Sequence, residues 1–256
     1  MAKLKWGMIG GGEGSQIGPA HRLGAGLDGL FEFTAGALDH RPEQGREYGQ
    51  RLGLGDRAYG SWQDMLEGEK RRDDRIDLVT VATPNATHFE ITKAFLENGF
   101  HVLCEKPITM LPSQAEELEQ IASTKNLMYG TAFQNRLNPA ITALERAIKD
   151  NRFGKIITAT IRLRWCRFQD YYEDDWHGTW AQDGGVINQQ AIHHVDAINW
   201  LLGPIESVNA TISNRLNHLE AEDTLVGIMK FSNGALGTIE ATTAARPEDF
   251  EASLSG

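Results

Sequence analysis

The chain has 256 residues, enough for one large domain or two of ordinary size, and its 41% hydrophobic and 23% charged content is typical of a globular protein. Its net charge of −10 argues against a general nucleic-acid-binding protein, because binding phosphates requires a basic face. The start lacks the apolar run of a signal peptide, and no stretch approaches the roughly 20 apolar residues of a membrane span. No feature of the sequence indicates a disulfide between its two cysteines, Cys104 and Cys166. We therefore expect a reduced, cytoplasmic protein, and one without a membrane segment.

The first predicted strand, Leu4 to Ile9, leads directly into the glycine-rich segment IGGGEGSQIG, and a helix follows. Strand, glycine loop and helix form the context of a dinucleotide-binding fingerprint, in which glycines allow a close approach of the pyrophosphate. Gly10 and Gly12 fit the first two positions of G-x-G-x-x-G, and Ser15 takes the third. The alternative is a glycine-rich turn that binds nothing. The residues expected to bind the cofactor here are Gly10, Gly12, Ser15, Gln16 and Ile17.

The second predicted strand, Phe31 to Leu38, ends at Asp39. Asp39 follows the glycine segment by about 20 residues, the spacing at which an acid binds the ribose 2′-hydroxyl of NAD. A carboxylate repels the 2′-phosphate of NADP, so NAD is favoured. Arg41 could instead pair with that phosphate, which leaves NADP open. Both Asp39 and Arg41 are therefore candidate cofactor-binding residues.

A third strand, Ile76 to Ala82, is apolar and β-branched, as expected of a strand buried on both faces. The charge run before it, from Glu67 to Asp77, is interpreted as a solvated loop. A helix is predicted from about Ala86 to Asn98, with a histidine at its start, a position where a lone histidine is more often structural. The residues after the third strand that are expected near a cofactor are Thr83, Pro84, Asn85 and His88.

The fourth strand, Phe100 to Cys104, ends in Glu105-Lys106-Pro107. Ligands bind beyond the carboxyl ends of parallel strands, so Lys106 could reach a cofactor on one side and a substrate on the other. Glu105 and Lys106 are therefore candidate cofactor-binding residues. The proline stiffens this corner. Strands alternate with helices as far as a fifth strand, so residues 1–135 are predicted to form a doubly wound parallel α/β sheet, a Rossmann domain.

Residues 136–256 follow a different pattern. A helix ending near Lys149 is followed by a long strand, Lys155 to Phe168, and by consecutive strands without intervening helices. This order predicts an α+β domain with a largely antiparallel sheet. The final residues, from Asp249, read as a strand interrupted in mid-pattern, so we expect the closing strands of this sheet to be missing.

A helix is predicted from Val186 to Leu202. Gln189 and His193 are four residues apart and should share one face of it. Trp176 and Trp180 precede this helix; aromatic rings commonly bind the C–H face of a sugar, but they are also ordinary core residues. Four arginines could contact an anionic substrate, although surface pairing is the commoner role of such residues. They are Arg136, Arg162, Arg164 and Arg167.

These segments together resemble the Gfo/Idh/MocA family of oxidoreductases. The resemblance rests on IGGGEGSQIG, ATPNATH at 82–88, CEKP at 104–107 and DGGVINQQAIHHVDAINWLLG at 183–203, and WHGTW is most similar to members acting on sugars and sugar nucleotides. It implies a Rossmann domain, a substrate domain whose sheet forms homo-oligomer contacts, and hydride transfer between NAD(P) and a sugar or polyol CH–OH group. It also implies that Lys106 is the lysine of the EKP motif and His193 the active-site histidine.

In this reaction the hydroxyl group loses a proton as hydride leaves the carbon, so a base must lie within about 3 Å. An ordinary histidine has a suitable pKa, so His193 is the predicted acid/base and Lys106 its electrostatic partner. Many family members have Asp where this chain has Gln189, and an amide cannot relay a proton, so Gln189 is expected to orient the substrate. The predicted substrate-binding residues are Lys106, Arg136, Trp176, Trp180, Gln189 and His193, with no metal. Two alternatives remain open: a glycoside-cleaving enzyme that oxidises its sugar transiently, and a cofactor-binding protein without turnover.

Overall fold

The chain divides into two units after Ala132. The structure, a computed structural model, describes residues 2–174 and 176–255, the last ten of these by their backbone alone. The expected boundary, after residue 135, lies three residues beyond this division. A 3₁₀ helix, Gln134–Leu137, belongs to the second unit because Arg136 within it pairs with Asp196 of that unit.

The first unit is a five-stranded parallel sheet in the order β2-β1-β3-β4-β5. It is the doubly wound α/β sheet that the alternating pattern predicts. Its strands and helices are β1 (Leu4–Gly10), α1 (Ile17–Leu27), β2 (Phe31–Ala37), α2 (Pro42–Arg51), α3 (Trp62–Lys70), β3 (Leu78–Ala82), α4 (His88–Glu97), β4 (His101–Cys104), α5 (Pro112–Lys125) and β5 (Tyr129–Thr131).

The core of this unit follows from its sequence. Val79 and Val81 on β3 have no exposed surface, as expected for a strand covered on both faces.

The predicted solvated loop before β3 is partly wrong, because α3 continues to Lys70 and buries Glu69 completely. The Glu69 carboxylate accepts hydrogen bonds from Arg57, from the hydroxyl of Tyr59 (2.9 Å) and from the Ile76 backbone N–H (2.9 Å). This network fixes the charged segment to the sheet.

The second unit is a mixed sheet in the order β10-β6-β9-β8-β7, in which every neighbouring pair is antiparallel except β6 and β9. Helices cover its inner face, where aliphatic side chains of both layers form one core. Its strands and helices are α6 (Pro139–Lys149), β6 (Thr158–Cys166), α7 (Ile192–Leu202), β7 (Ile205–Ser213), β8 (Thr224–Phe231), β9 (Leu236–Thr242) and β10 (Ala244–Ser255).

Two predicted elements of this unit differ from the structure. The predicted helix over 186–202 is not regular, because Ile187–Ala191 form a π-helical turn before α7. The final segment, predicted as an interrupted strand, lies within β10, which pairs with β6 at one edge of the sheet. Within the described ranges, no helix is both long and apolar enough to span a membrane.

Candidate active site

The glycine loop is packed against the ends of the two strands beside β1. A Cβ atom on Gly10 would lie 2.2 Å from the carbonyl oxygen of Ala82, at the end of β3. A Cβ atom on Gly12 would lie 2.2 Å from the carbonyl oxygen of Leu38, just beyond β2. These approaches exclude any side chain, so a ligand at this end of the sheet would meet bare backbone.

The third glycine of the motif is Gly18 and not the position of Ser15. Gly18 is the buried residue of α1, and a Cβ atom there would lie 1.9 Å from the carbonyl oxygen of Gly11. Such contact provides the close helix–strand packing for which the fingerprint needs its third glycine. Ser15 instead accepts a hydrogen bond from the Gly18 N–H (3.2 Å), and Gln16 and Ile17 form the start of α1. The loop is therefore longer than the fingerprint spacing, which explains why sequence spacing selected Ser15.

Asp39 lies just beyond β2 and is bound by Arg41. The Arg41 guanidinium donates to both carboxylate oxygens (3.0 and 3.1 Å), and its backbone N–H donates to one of them (2.9 Å). These hydrogen bonds hold the pKa of Asp39 below its usual value, so the group is a carboxylate at neutral pH. The two residues predicted to recognise the adenosine ribose thus form one bidentate ion pair with each other. The Arg41 guanidinium is already neutralised by the Asp39 carboxylate.

His88 connects the two loops that follow β3 and β4. Its side chain is completely buried, with Nδ1 2.7 Å from the carbonyl oxygen of Pro107 and Nε2 2.8 Å from that of Thr83. Its ring has no accessible surface, as expected for a structural histidine, and the predicted contact of His88 with a cofactor stays a prediction. Burial lowers the pKa of His88. This contact holds Thr83, which follows β3, and Pro84 and Asn85 are the next residues of the same loop.

Glu105 and Lys106 follow β4, as predicted. The carboxylate of Glu105 turns towards α1, where its Oε1 lies 2.8 Å from Nε2 of His21, and its Oε2 accepts the Lys106 backbone N–H (3.1 Å). Burial opposes the charge on Glu105, but the hydrogen bond from His21 and nearby positive groups hold the pKa of this carboxyl below its usual value. His21 was missed by the sequence analysis; its only signal was a position three residues after Gly18 on the same helix.

The predicted catalytic pair is divided between the units, with Lys106 in the first and His193 in the second. His193 lies in the first turn of α7, and its ring packs edge-on against Phe133, with 6.2 Å between ring centroids. The shared face predicted for Gln189 and His193 assumed a regular α-helix. Gln189 lies in the π-helical turn, in which hydrogen bonds span five residues, so a four-residue step is less than one full turn there.

The start of this helical segment is fixed by Glu222, a further residue that the sequence analysis missed. Glu222 is 3% exposed; its Oε1 accepts the Ile187 N–H (3.1 Å) and its backbone carbonyl accepts the Val186 N–H (2.9 Å). A Cβ atom on Gly185 would lie 2.2 Å from the Glu222 carbonyl oxygen, so a glycine is required at this contact. A carboxylate at the N-terminus of a helix also satisfies N–H groups that would otherwise lack partners.

Arg136 is committed to a partner within its own unit. Its guanidinium forms a bidentate pair with Asp196 on α7, with Nε 2.8 Å from one carboxylate oxygen. Its charged carbon also lies 4.5 Å from the ring centroid of Trp200. Nε and one terminal nitrogen of the guanidinium face the Asp196 carboxylate, so the residue fixes the 3₁₀ helix to α7, and its predicted part in substrate binding stays a prediction.

The tryptophans before α7 differ in what they expose. The Trp176 ring stacks on His177, with 3.6 Å between centroids, and His177 in turn packs on Tyr171 and pairs with Asp174 (2.5 Å). One face of Trp176 is therefore covered by protein. Trp180 is 53% exposed and fits the expected sugar-binding surface better. Two further arginines that could contact an anionic substrate, Arg162 and Arg164, form ion pairs with Glu240 on β9. Such surface pairing is the alternative role given in the sequence analysis.

Two family models match the chain. The model described as "Oxidoreductase family, NAD-binding Rossmann fold" matches residues 4–133, and that described as "GFO/IDH/MocA C-terminal domain" matches residues 141–256. The uncharacterized oxidoreductase YfiI of Bacillus subtilis is 30% identical over 249 residues, covering 92% of this chain and 63% of that protein.

Two further proteins carry functional descriptions. Levoglucosan dehydrogenase of Pseudarthrobacter phenanthrenivorans is 26% identical over 286 residues, covering 96% of this chain and 69% of that protein. The crystal structure of an inositol dehydrogenase homolog from Azotobacter vinelandii, complexed with NAD+, superposes with a TM-score of 0.94 at 30% identity, covering 99% of this chain and 69% of that one. The chain thus spans 63% to 69% of the length of these three proteins.

Proposed function

The chain belongs to the Gfo/Idh/MocA family of oxidoreductases, and from this premise we propose that it transfers hydride between NAD and a CH–OH group of a sugar, sugar derivative or polyol. The observation that carries the proposal is the glycine loop, where the approach at Gly10 and Gly12 leaves room for backbone only. Relatives described as acting on levoglucosan and related to inositol dehydrogenase support a polyhydroxylated substrate.

The residues present fit a dinucleotide. The backbone at the start of α1 suits a pyrophosphate, and the Asp39 carboxylate, kept charged by Arg41, suits ribose hydroxyl groups, which favours NAD over NADP. When bound, the nicotinamide supplies the hydride acceptor. The loop from Thr83 to Asn85 would border the same end of the sheet, since it follows the strand next to β1.

The protein's own part in the chemistry is the movement of one proton. We assign His193 as the base that takes the hydroxyl proton, because an imidazole changes charge near neutral pH. Lys106, as a cation, would stabilise the negative charge that develops on the oxygen. Gln189 would orient the hydroxyl group by hydrogen bonding, since an amide neither accepts nor releases a proton in this pH range. Trp180 would offer its exposed ring to the C–H face of the substrate.

The test begins with ligand binding. A ligand that binds only the folded protein raises its melting temperature, so NAD should raise it more than NADP does. The purified chain is then screened for NADH formation with inositols, anhydrosugars, glycosides and sugar nucleotides. Lys106→Ala and His193→Ala should abolish turnover, whereas Lys125→Ala and His218→Ala, at exposed sites in the same two units, should not.

Three outcomes would contradict the proposal in different ways. Release of an aglycone without net NADH would indicate transient oxidation and glycoside cleavage. Cofactor binding without turnover of any substrate would indicate a binding protein. Normal turnover by Lys106→Ala and His193→Ala, with cofactor bound, would refute the assignment of these two residues.

We also propose that copies of the chain associate through the outer face of the second sheet, and that the protein is cytoplasmic. Strand register places Val226 and Ile228 on this face, in rows that also contain Thr238 and Glu240 of β9. The two aliphatic side chains are 56% and 62% exposed. Ile228→Asp should dissociate the oligomer in light scattering with size exclusion, whereas Arg152→Asp, at an exposed residue of the turn after α6, should not. A monomeric unmodified chain would refute the association.

A further inference from the structure

Arg22 connects the glycine loop to the two helices beside it. It lies on α1 one turn after Gly18, and long side chains on a helix lean towards the N-terminus of that helix, where the loop is. Its Nη1 donates to the carbonyl oxygen of Gly11 (2.9 Å), and its Nη2 donates to the hydroxyl of Tyr48 on α2 (3.1 Å). One half-buried guanidinium therefore holds the loop, α1 and α2 together.

The charge of Arg22 is not neutralised by an anion. Its hydrogen-bond partners are a carbonyl, a hydroxyl and the sulfur of Met8, and none of the side chains that the structure describes offers it a carboxylate. The second arginine beside Tyr48 differs in this respect, because Arg51 pairs with the carboxylate of Glu13 in the loop (2.5 Å). The glycine loop thus has one uncompensated positive charge packed against it, and a guanidinium stays charged throughout the neutral pH range.

The same contact fixes the orientation of the peptide group between Gly11 and Gly12. The Gly11 carbonyl oxygen faces α1, since it accepts from Arg22 and since a Cβ atom on Gly18 would lie 1.9 Å from it. A trans peptide group is planar, so its N–H points in the opposite direction to its carbonyl. The Gly12 N–H therefore points away from α1, and no described residue accepts a hydrogen bond from it. Gly12 is buried, and a buried N–H needs a partner, which a phosphate oxygen at this loop would supply.

We propose that Arg22 is a positioning residue for the pyrophosphate of the cofactor. It holds the Gly11–Gly12 peptide so that the N–H is presented to a phosphate oxygen, and its charge attracts the anionic group. This role rests on the proposed function, which places the pyrophosphate at the glycine loop. Arg22 is not a catalytic residue, because it acts through a peptide group. NAD and NADP share the pyrophosphate, so Arg22 should affect both equally, whereas Asp39 and Arg41 are expected to distinguish them.

The first measurement is calorimetric titration of NAD and NADP into the purified chain and its variants, at a temperature where circular dichroism shows each to be folded. Arg22→Met keeps a long unbranched side chain but removes both the charge and the donors. Both dissociation constants should rise about tenfold, the lower end of what a charge-assisted hydrogen bond contributes. Their ratio should change by less than about twofold, because the group that both cofactors share is the one affected.

Rescue and control variants separate positioning from a general structural effect. Arg22→Lys retains a charged donor and should bind both dinucleotides within about twofold of the unmodified chain. Arg71→Met removes the same charge at a side chain that is 80% exposed, beyond the end of α3. Because Arg71 precedes β3, it lies at the opposite end of the parallel sheet from the glycine loop, and binding should change by less than about twofold. If Arg22→Met does not fold, Arg22→Gln removes the charge alone and should weaken binding at least about threefold.

The second measurement follows the Gly12 amide directly by NMR of the isotope-labelled chain. The probe is ADP, which has the diphosphate but no nicotinamide. Saturating ADP should shift the Gly12 amide proton downfield, because this N–H gains a phosphate acceptor. Arg22→Met should weaken ADP binding about tenfold, as it does for the dinucleotides. A Gly12 amide that does not respond to saturating ADP would refute the proposed orientation of the peptide.

This role of Arg22 is also refuted if Arg22→Met binds NAD and NADP as tightly as the unmodified chain, or if Arg22→Lys binds as weakly as Arg22→Met. A loss confined to NADP would mean that Arg22 contacts the ribose phosphate instead. Binding that depends on Arg22, without turnover of any substrate, would refute the proposed hydride transfer and leave the role of Arg22 intact. Turnover by the unmodified chain together with unchanged binding by Arg22→Met would refute the role of Arg22 alone. A chain that binds neither dinucleotide nor ADP would refute both.

Discussion

Replacing Asp39 by serine should reverse the cofactor preference. The substitution removes the carboxylate proposed to accept the ribose hydroxyl groups of NAD, and it releases the Arg41 guanidinium, whose Nε and terminal nitrogen both donate to Asp39 (3.0 and 3.1 Å). Arg41 is 58% exposed at its side chain, so a cofactor phosphate can reach it from solvent. The change is confined to a loop after β2 and leaves the sheet unaltered.

The size of the effect follows from the contacts. A hydrogen bond to a charged group contributes about 1.5–3 kcal/mol, so loss of the carboxylate should weaken NAD binding about 10- to 100-fold. NADP should gain by a similar factor, because repulsion by Asp39 disappears and a bidentate arginine–phosphate contact becomes available. Since the arginine is exposed, we expect values at the lower end, and the gain should shrink as salt concentration rises.

The assay is calorimetric titration of NAD and NADP into the unmodified chain, Asp39→Ser and Asp39→Ser combined with Arg41→Leu. The second substitution should remove the gain for NADP and leave NAD binding weak. If Asp39→Ser changes both dissociation constants by less than about twofold, the adenosine ribose is not bound at Asp39. If the gain for NADP survives Arg41→Leu, another residue binds the phosphate.

Three further predictions concern stability and reactivity. Glu69→Ala leaves the buried Arg57 with Asp74 as a remaining carboxylate partner (3.2 Å) and removes the acceptor of Tyr59 and of the Ile76 N–H, so it should lower the free energy of unfolding by about 3 kcal/mol in urea titrations. A loss under about 1 kcal/mol would mean that the network is not maintained. Gly18→Ala places a Cβ atom 1.9 Å from the Gly11 carbonyl oxygen, so it should lower the free energy of unfolding by about 1–3 kcal/mol. It should also weaken NAD binding as measured by calorimetry, and unchanged binding would contradict the close packing of the loop. Cys104 is fully buried and its pKa is raised to about 12 by burial, so iodoacetamide should label it only after denaturation, whereas labelling of the folded chain would indicate opening of the sheet.

The glycine loop illustrates how far spacing can be taken. The sequence placed a strand, a glycine segment and a helix correctly, because each has a local signature. Because the loop is longer than the fingerprint spacing, the glycine that packs the helix against the strand is Gly18 and not the residue at position 15. Only the contact between Gly18 and the Gly11 backbone shows this. Likewise, a periodic pattern predicted one regular helix around Gln189, whereas Ile187–Ala191 form a π-helical turn whose first N–H donates to Glu222, 35 residues further along the chain.

Pairings between distant residues account for the other differences. Arg136 was predicted to contact an anionic substrate, and no sequence pattern shows its pair with Asp196, which lies 60 residues further along the chain. His21 and Glu105 are 84 residues apart, and no local pattern relates them. His88 showed the expected position at a helix start, but its complete burial depends on the loop containing Pro107.

The sequence by itself therefore determined the two-part architecture, the glycine loop and the motifs that carry Lys106 and His193, because periodicity, glycine content and short motifs are properties of neighbouring residues. Tertiary structure alone decided which charged and polar side chains are committed to one another. Arg41 with Asp39, Arg136 with Asp196 and His21 with Glu105 each face a partner chosen by the packing of strands and helices. A hydrogen bond depends on distance and direction in space, and the folded chain sets both.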